Sequence, residues 1–369
     1  MILLNDFKRQ WEDTSAAALQ AFAEIGANGW YILGREVECF EEALAGYWGL
    51  PHAVGVGSGL DAIEISLKAL GCKPGARVLT TPLSAFATTL AILKLGAVPV
   101  FVDTDPFGLI DLELCRNALV TRPEIGYFVP VHLYGHALDA AALAALKNDF
   151  GCAIVEDCAQ AIGATHAGIP AGSTGQMAAA SFYPTKNLGA LGDGGAILTR
   201  DPVLAGSARI LRDYGQTAKY RHDVVGYNSR LDEVHAGLLR RVYLGRLSAW
   251  TARRRRIAEA YIDGIQNPAI RVLGAPGGSN SCWHLFPVMV EAQRRKGFMS
   301  WLESRNVSCA VHYPIPIPDQ SALASGGEII GEIATARQIC RCEVSLPIHP
   351  YLTCEEVEMV VEACNRWNP

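Results

Sequence analysis

Lys186 lies in SFYPTKNLGALGDGGAILT, residues 181–199, with no acid beside it before Asp193 and with Gly189, Gly192, Gly194 and Gly195 following. A surface lysine more often has charged neighbours. An amine set into a tight, glycine-lined place is desolvated, loses its proton more readily and becomes a nucleophile. Two earlier stretches also carry chemistry. In GVGSGLDAIE, residues 55–64, an apolar run ends in glycines and a helical pattern begins. The free N–H groups of Gly57, Ser58 and Gly59 then form an anion cradle at a helix N-terminus, unless the glycines serve only as a tight turn. In AIVEDCAQAIGA, residues 153–164, an apolar strand ends in Glu156 and Asp157. Ligands of parallel sheets bind beyond the carboxyl ends of the strands, where Asp157 points. A buried carboxylate there requires a partner, such as a pyridinium N–H; capping of the next segment is the simpler alternative.

Phosphate anchor, strand-terminal carboxylate and lysine, in that order, together suggest pyridoxal phosphate. The cofactor's aldehyde takes Lys186, Asp157 keeps the ring nitrogen protonated so that the ring is an electron sink, and the helix N-terminus with Ser181 takes the phosphate. A nicotinamide dinucleotide fits less well. Leu60 stands where the third glycine of G-x-G-x-x-G belongs, and no acid closes a second strand about twenty residues on.

The elements that position these residues read as a parallel α/β fold. Short apolar runs at 52–56, 77–81, 98–103, 125–132, 152–157, 178–182 and 195–199 have the composition of strands. Helical periodicity marks 60–70, 86–96 and 139–149. Such alternation implies a mostly parallel sheet with helices on both faces. After residue 230 a breaker-poor segment predicts one long helix or two joined ones. A Pro/Gly/Ser break follows at 274–281, then a smaller α+β portion with strands near 283–290 and 307–312. The expected division is a large domain over 1–245 and a small one over 246–369.

Composition narrows the class. The chain of 369 residues is 50% hydrophobic and 19% charged, enough for a sizeable core. A net charge of -5 speaks against nucleic-acid binding. The run Arg253–Arg256 lies in a helical pattern and reads as a solvated face. The N-terminal residues lack a secretory pattern, and no apolar run is long enough to span a membrane. Eleven cysteines without a C-x-x-C pair fit reduced thiols in the cytoplasm better than disulfides or zinc; no metal site is expected.

The sequence resembles the DegT/DnrJ/EryC1/StrS sugar aminotransferases over almost its whole length. The resemblance rests on NGWYILGREVECFE, GSGLDAIEISLKALG, TTPLSAFATTLAILKLGAVPVFVD, VPVHLYGH, VEDCAQAIGA, SFYPTKNLGALGDGGA, LRDYGQ, GYNSRLDEVHAG, HYPIPIP and SLPIHPYLT. It implies the aspartate-aminotransferase-like fold of type I pyridoxal-phosphate enzymes, with a mixed, mostly parallel seven-stranded sheet and a smaller α+β C-terminal domain. It implies that Lys186 forms the Schiff base, Asp157 pairs with the pyridine nitrogen, Gln160 lies near the phenolic oxygen and Phe86 stacks on the ring. Gly57, Ser58, Gly59 and Ser181 would hold the phosphate. Asn228 would reach the phosphate of a neighbouring subunit's cofactor, implying a homodimer with shared sites. Tyr31, His136, Arg212, His312 and Tyr313 are the implied substrate contacts. The family usually has an amide where His136 stands and often a histidine where Pro318 stands. The implied reaction is ping-pong transamination from an amino acid, L-glutamate above all, through pyridoxamine phosphate to the keto group of a nucleotide-linked (dTDP, UDP or GDP) deoxy-sugar. Lys186 moves the proton in both half-reactions. A keto-cyclitol acceptor fits the same residues. Deoxygenating relatives carry histidine in place of the lysine, so Lys186 argues against that reading. Lys186 and Asp157 together argue against a non-catalytic regulatory protein on the same scaffold.

Overall fold

The computed structural model describes residues 1–324 and 326–368. Its centre is an eight-stranded sheet in the order His52–Val56, Gly195–Thr199, Met177–Ser181, Ala153–Asp157, Ile125–Val129, Arg77–Thr80, Val98–Phe101, Glu328–Ile329. Only Gly195–Thr199 runs antiparallel to both of its neighbours; every other pairing is parallel. All seven runs read from the sequence are present. The eighth strand, of two residues, returns from the C-terminal part to the sheet edge and is too short to leave a periodic signal.

Helices cover both faces, as a parallel sheet requires. Val54, Val56, Val78, Val129, Val155 and Ile197 pack with Ala62, Ile63, Ile65 and Leu67 of the helix Gly59–Ala69. Leu79, Val100, Phe128 and Ile154 pack on the other face with Leu119 and Leu143. Ala178, Ala180, Ala196 and Leu198 meet Phe40, Leu44 and Trp48 of the helix Arg35–Trp48. Met177–Ser181 carries three successive alanines, whose small side chains let helices approach closely.

The segment after residue 230 winds almost without interruption from Glu233 to Gly264: an α-helix, one wide π turn at Leu239–Tyr243, a short tight turn, then the α-helix Leu247–Gly264. Its arginine run is a solvated face only at Arg256, which is exposed. Arg254 is buried and donates to the carbonyls of Trp283 and Ile348, Arg253 to Leu352 and Arg255 to Ser281. The guanidinium groups satisfy carbonyls of irregular segments packed against the helix, a role the helical pattern does not disclose.

Beyond it, Arg271–Val272, Phe286–Met289 and Glu343–Leu346 form a small antiparallel sheet with the middle run at its centre. The strand expected near 307–312 does not form. Only isolated bridges occur there, Ile2 to Val307 and Ala310 to Ser345, and Glu343–Leu346 takes the ladder position. Pro314, Pro316 and Pro318 follow directly and carry no N–H to extend a ladder. Phe286, Val288, Val344 and Leu346 share a core with Ile257, Tyr261, Phe298, Val360 and Ile2 from the N-terminus. Among the described residues, no helix is long and apolar enough to cross a membrane.

Candidate active site

A cavity of about 370 Å³ opens beyond the carboxyl ends of the parallel strands. Ser58, Gly59, Asp157, Gln160, Ser181 and Lys186 all line it, and His284, His312 and Tyr313 close it from the C-terminal part. The topology explains the convergence. Each parallel strand delivers its following loop to the same edge, so residues far apart in sequence meet there.

Lys186 sits in the turn after Met177–Ser181, held by its N–H donating to the Tyr183 carbonyl at 2.8 Å. The turn needs a glycine at 189, where a Cβ would lie 2.3 Å from the Pro184 carbonyl oxygen. Burial pulls the Lys186 amine down to about 8, against the opposing pull of Asp157. More of this amine is therefore neutral near physiological pH than of an ordinary exposed lysine.

Glu156 and Asp157 point to opposite faces of their strand, as adjacent strand residues must. Glu156 is structural. It accepts from the N–H groups of Gly172, Thr174 and Gly175 and pairs with His132 at 2.8 Å. Burial raises its pKa, but His132 and these amides outweigh burial and hold it below the usual carboxylate range. Asp157 faces the cavity. Its Oδ1 accepts from the Ala159 N–H at 3.0 Å and its Oδ2 from the Thr88 hydroxyl at 2.7 Å. Thr88 in turn meets Ser84 at 3.1 Å. The sequence reading missed Thr88 and Ser84: Ser84 lies in the loop before the helix Phe86–Lys94, so no helical periodicity links the two.

The anion cradle is formed by fewer groups than expected. Ser58 caps the helix, its Oγ accepting from the Asp61 N–H at 3.1 Å. Gly59 approaches Ser181 so closely that a Cβ at 59 would stand 2.6 Å from Ser181 Cβ. A Cβ at Gly195 would stand 2.4 Å from the Ser58 carbonyl carbon. Gly57 does not belong to the cradle. Its N–H donates to Ser229 Oγ at 2.9 Å, and that hydroxyl donates to Asp61. Gly57 is thus a strut behind the cradle.

Phe86 does not line the cavity either. It packs towards Phe101, Ile317 and Leu323, while Ala85 and Ala87 face inward. Phe86 opens the helix Phe86–Lys94, where successive side chains diverge by about 100°, so its ring is carried away from the site. Gln160 Oε1 accepts from the Tyr134 N–H at 2.7 Å and its Nε2 donates to the Tyr313 hydroxyl at 3.2 Å.

Two expected substrate contacts are structural. His136 is fully buried outside the cavity, its Nδ1 2.9 Å from Ser281 Oγ and its ring edge-on to Trp283. Burial pulls it down to about 3, so it stays neutral. Arg212 is buried against Glu41 and donates to the Gly55 carbonyl at 2.8 Å, outside the residues that line the cavity. His312 and Tyr313 do face the cavity. Tyr31 and Asn228 are exposed and outside it; Asn228 forms a bridge with Asp213. His284, which no motif had singled out, lines the cavity beside Lys186 with its Nδ1 3.2 Å from Asn187 Oδ1. Among the described residues, no group of His, Cys, Asp and Glu is arranged to hold a metal.

These residues fit pyridoxal phosphate. A buried carboxylate, oriented by two donors, suits a protonated ring nitrogen. A partly neutral amine suits the aldehyde. A capped helix N-terminus with a glycine that admits no Cβ suits the phosphate.

The family model of the DegT/DnrJ/EryC1/StrS aminotransferases matches residues 12–365. A dTDP-3-amino-3,4,6-trideoxy-alpha-D-glucose transaminase of Streptomyces venezuelae is 39% identical over 98% of this chain and 95% of its own length. A UDP-N-acetyl-3-dehydro-alpha-D-glucosamine 3-aminotransferase of Acidithiobacillus ferrooxidans is 36% identical over 94% and 93%. The solved structure of S. venezuelae DesV, in complex with a ketimine intermediate, superposes with a TM-score of 0.95 at 39% identity, covering 99% of this chain and 98% of that one. Lysine, carboxylate and helix N-terminus around one cavity thus accompany a match along nearly the full sequence, and the chain belongs to the DegT/DnrJ/EryC1/StrS aminotransferase family.

Proposed function

We propose that this protein is a pyridoxal-phosphate transaminase that moves an amino group from L-glutamate to a keto group on a nucleotide-linked sugar. The observation that carries this reading is the convergence of Lys186, Asp157 and the Ser58–Gly59 helix start on one cavity. The bound cofactor supplies an electron sink that stabilises a carbanion next to nitrogen. The chain's own residues do the rest. Lys186 would bind the cofactor's aldehyde and, when free, would carry the proton between the donor's α-carbon and the cofactor's C4′ carbon. Its pKa of about 8 suits both taking and giving that proton. Asp157, fixed by Thr88 and Ala159, would keep the ring nitrogen protonated. Ser58, Gly59 and Ser181 would hold the phosphate, and Gln160 would lie near the phenolic oxygen. Tyr313 and His312 border the space left for substrate.

The working unit in this reading is a homodimer in the cytoplasm. Asn228, exposed on one chain, reaches the phosphate of the partner's cofactor, and Tyr31 contacts substrate. Residues 246–369 form the smaller domain, which brings His284, His312 and Tyr313 to the site. The relatives named above act on dTDP- and UDP-linked sugars, which supports an acceptor of that class.

The test is a panel of keto-sugar nucleotides and keto-cyclitols with glutamate as donor, read by product mass. A product in which an amine replaces a keto oxygen on a sugar nucleotide is expected. Amination of the cyclitols alone would replace the acceptor class; no amination of any member, with the cofactor bound, would end the transaminase reading.

A further inference from the structure

Behind His312 runs a chain of hydrogen bonds that ends in a buried acid. His312 Nδ1 lies 2.9 Å from Ser345 Oγ, and Ser345 Oγ lies 2.5 Å from Glu343 Oε1. The other carboxylate oxygen, Oε2, accepts from the His312 backbone N–H at 2.6 Å, so it is always an acceptor. Tyr134 donates to the His312 carbonyl at 2.7 Å and fixes the backbone. Glu343 and Ser345 are fully buried on the strand Glu343–Leu346. The imidazole itself lines the cavity, and its Nε2 makes no hydrogen bond among the described residues.

A hydroxyl has one proton, so the chain runs in one of two directions. With Glu343 ionised, Ser345 donates to the carboxylate and its oxygen accepts from Nδ1–H; Nε2 is then unprotonated. With Glu343 protonated at Oε1, the carboxyl donates to Ser345, the hydroxyl donates to Nδ1, and the imidazole proton sits on Nε2. One proton is added to Glu343 and the imidazole stays neutral, exchanging its proton from Nδ1 to Nε2 through the cavity. We propose that Ser345 and Glu343 are positioning residues that set the polarity of His312 Nε2, an acceptor towards the cavity when Glu343 is ionised and a donor when it is protonated. An acceptor there suits a substrate ammonium or hydroxyl; a donor suits a carbonyl or carboxylate oxygen. That consequence rests on the function proposed above, whereas the polarity switch does not.

The surroundings permit the switch near neutrality. Burial raises Glu343 to about 7 against the lowering effects of Ser345, the His312 N–H and Arg295. Cys309, Cys340, Tyr134 and Tyr313 also face it, and burial pushes each of them up, so they remain uncharged. Burial, and then Lys186, holds His312 near 4, so its ring is neutral throughout. His284 beside it is likewise held neutral by burial.

The test is 15N NMR of histidine-labelled protein over a pH series spanning neutrality, with His312 assigned by the signal that His312→Gln removes. Ring nitrogen shifts distinguish the two neutral tautomers directly. The expected result is Nδ1–H above the crossover and Nε2–H below it. Glu343→Gln must keep its oxygen towards the His312 N–H and its NH2 towards Ser345, so it locks Nε2–H at every pH. Ser345→Ala uncouples the tautomer from pH. Lys186→Met leaves the crossover in place, which separates it from titration of the lysine and from any failure of the transaminase reading. One tautomer at all pH values in the wild type, or a Glu343→Gln protein that still switches, overturns the proposal.

Discussion

The Thr88 hydroxyl donates to Asp157 Oδ2 at 2.7 Å across the mouth of the strand Ala153–Asp157. With the Ala159 N–H on the other oxygen, it fixes the plane of the carboxylate that we propose pairs with the cofactor's ring nitrogen. Thr88→Val keeps the shape and removes the donor. The carboxylate then rotates more freely, and we expect cofactor affinity to fall by roughly tenfold, the scale of one hydrogen bond to a charged group. Thr88→Ser retains most of the affinity. Equilibrium titration of the apo protein with pyridoxal phosphate measures both; equal affinity for Val and wild type removes Thr88 from this role.

Lys186 offers a pH signature. With its amine near 8, labelling of the apo protein by an amine-reactive reagent should be half-maximal there, not near the ordinary 10.5. Asp157→Asn removes the charge that supports the ammonium and moves the midpoint lower. The folded pKa lies below the unfolded one, so between these values the unfolded chain binds more protons and stability rises with pH. At neutral pH the buried ammonium is a cost, and Lys186→Met should raise the melting temperature of the apo protein. A midpoint close to 10.5 by peptide mass spectrometry would contradict the buried, desolvated position of this residue.

Much of this arrangement was legible in the sequence because it rests on local signals. Strands buried on both faces read as apolar runs, and a glycine-bounded helix start or a strand-terminal Asp announces itself within a few residues. Side-chain direction is not local. Phe86 and Ala85 are neighbours in sequence, and only the start of the helix decides which of them faces the cavity. Arg212 is attractive as a carboxylate ligand until Glu41, far away in the chain, is seen against it. Glu343–Leu346 was invisible as a strand because its acid and serine break the apolar run; both are buried and hydrogen-bonded to His312.

The Arg212–Glu41 pair makes the opposite prediction from a substrate contact. Both side chains are buried, and Glu41 also accepts from the Gly55 N–H at 2.8 Å. Arg212→Met leaves Glu41 with only the half-exposed Arg209, 3.6 Å away, and should cost up to about 3–5 kcal/mol of stability, the range for breaking a buried pair outright. The double variant Arg212→Met with Glu41→Gln should recover much of that loss. Urea unfolding gives both numbers. An Arg212→Met protein of normal stability but raised KM for either substrate would restore the binding role.

Gly59 tests the cradle by sterics alone. Alanine is the better helix former, yet its Cβ would stand 2.6 Å from Ser181 Cβ, where both lie close to backbone. The helix start must move away from Ser181, which separates the two halves of the phosphate site. We expect Gly59→Ala to weaken binding of pyridoxal phosphate by more than about tenfold. Its affinity for pyridoxal, which lacks the phosphate, should change little. Equal losses for the two ligands would mean that the substitution disturbs the whole cavity.

Asn228 allows a test of shared sites that needs no structure of the dimer. It is exposed, lies outside its own chain's cavity and precedes the buried Ser229 that supports Gly57. If it serves the partner's cofactor, each site takes Lys186 from one chain and Asn228 from the other. Lys186→Ala and Asn228→Ala proteins, each weak or inactive alone, are unfolded together and refolded as a mixture. In a mixed dimer, one site combines both lesions and the other combines neither. Half of the dimers are mixed at random, so activity should return to roughly a quarter of wild type. If Asn228 acts within its own chain, every site in the mixture carries one lesion and activity does not return. Size-exclusion chromatography of the refolded mixture confirms that dimers have formed, so a failure to recover activity counts against the shared site itself.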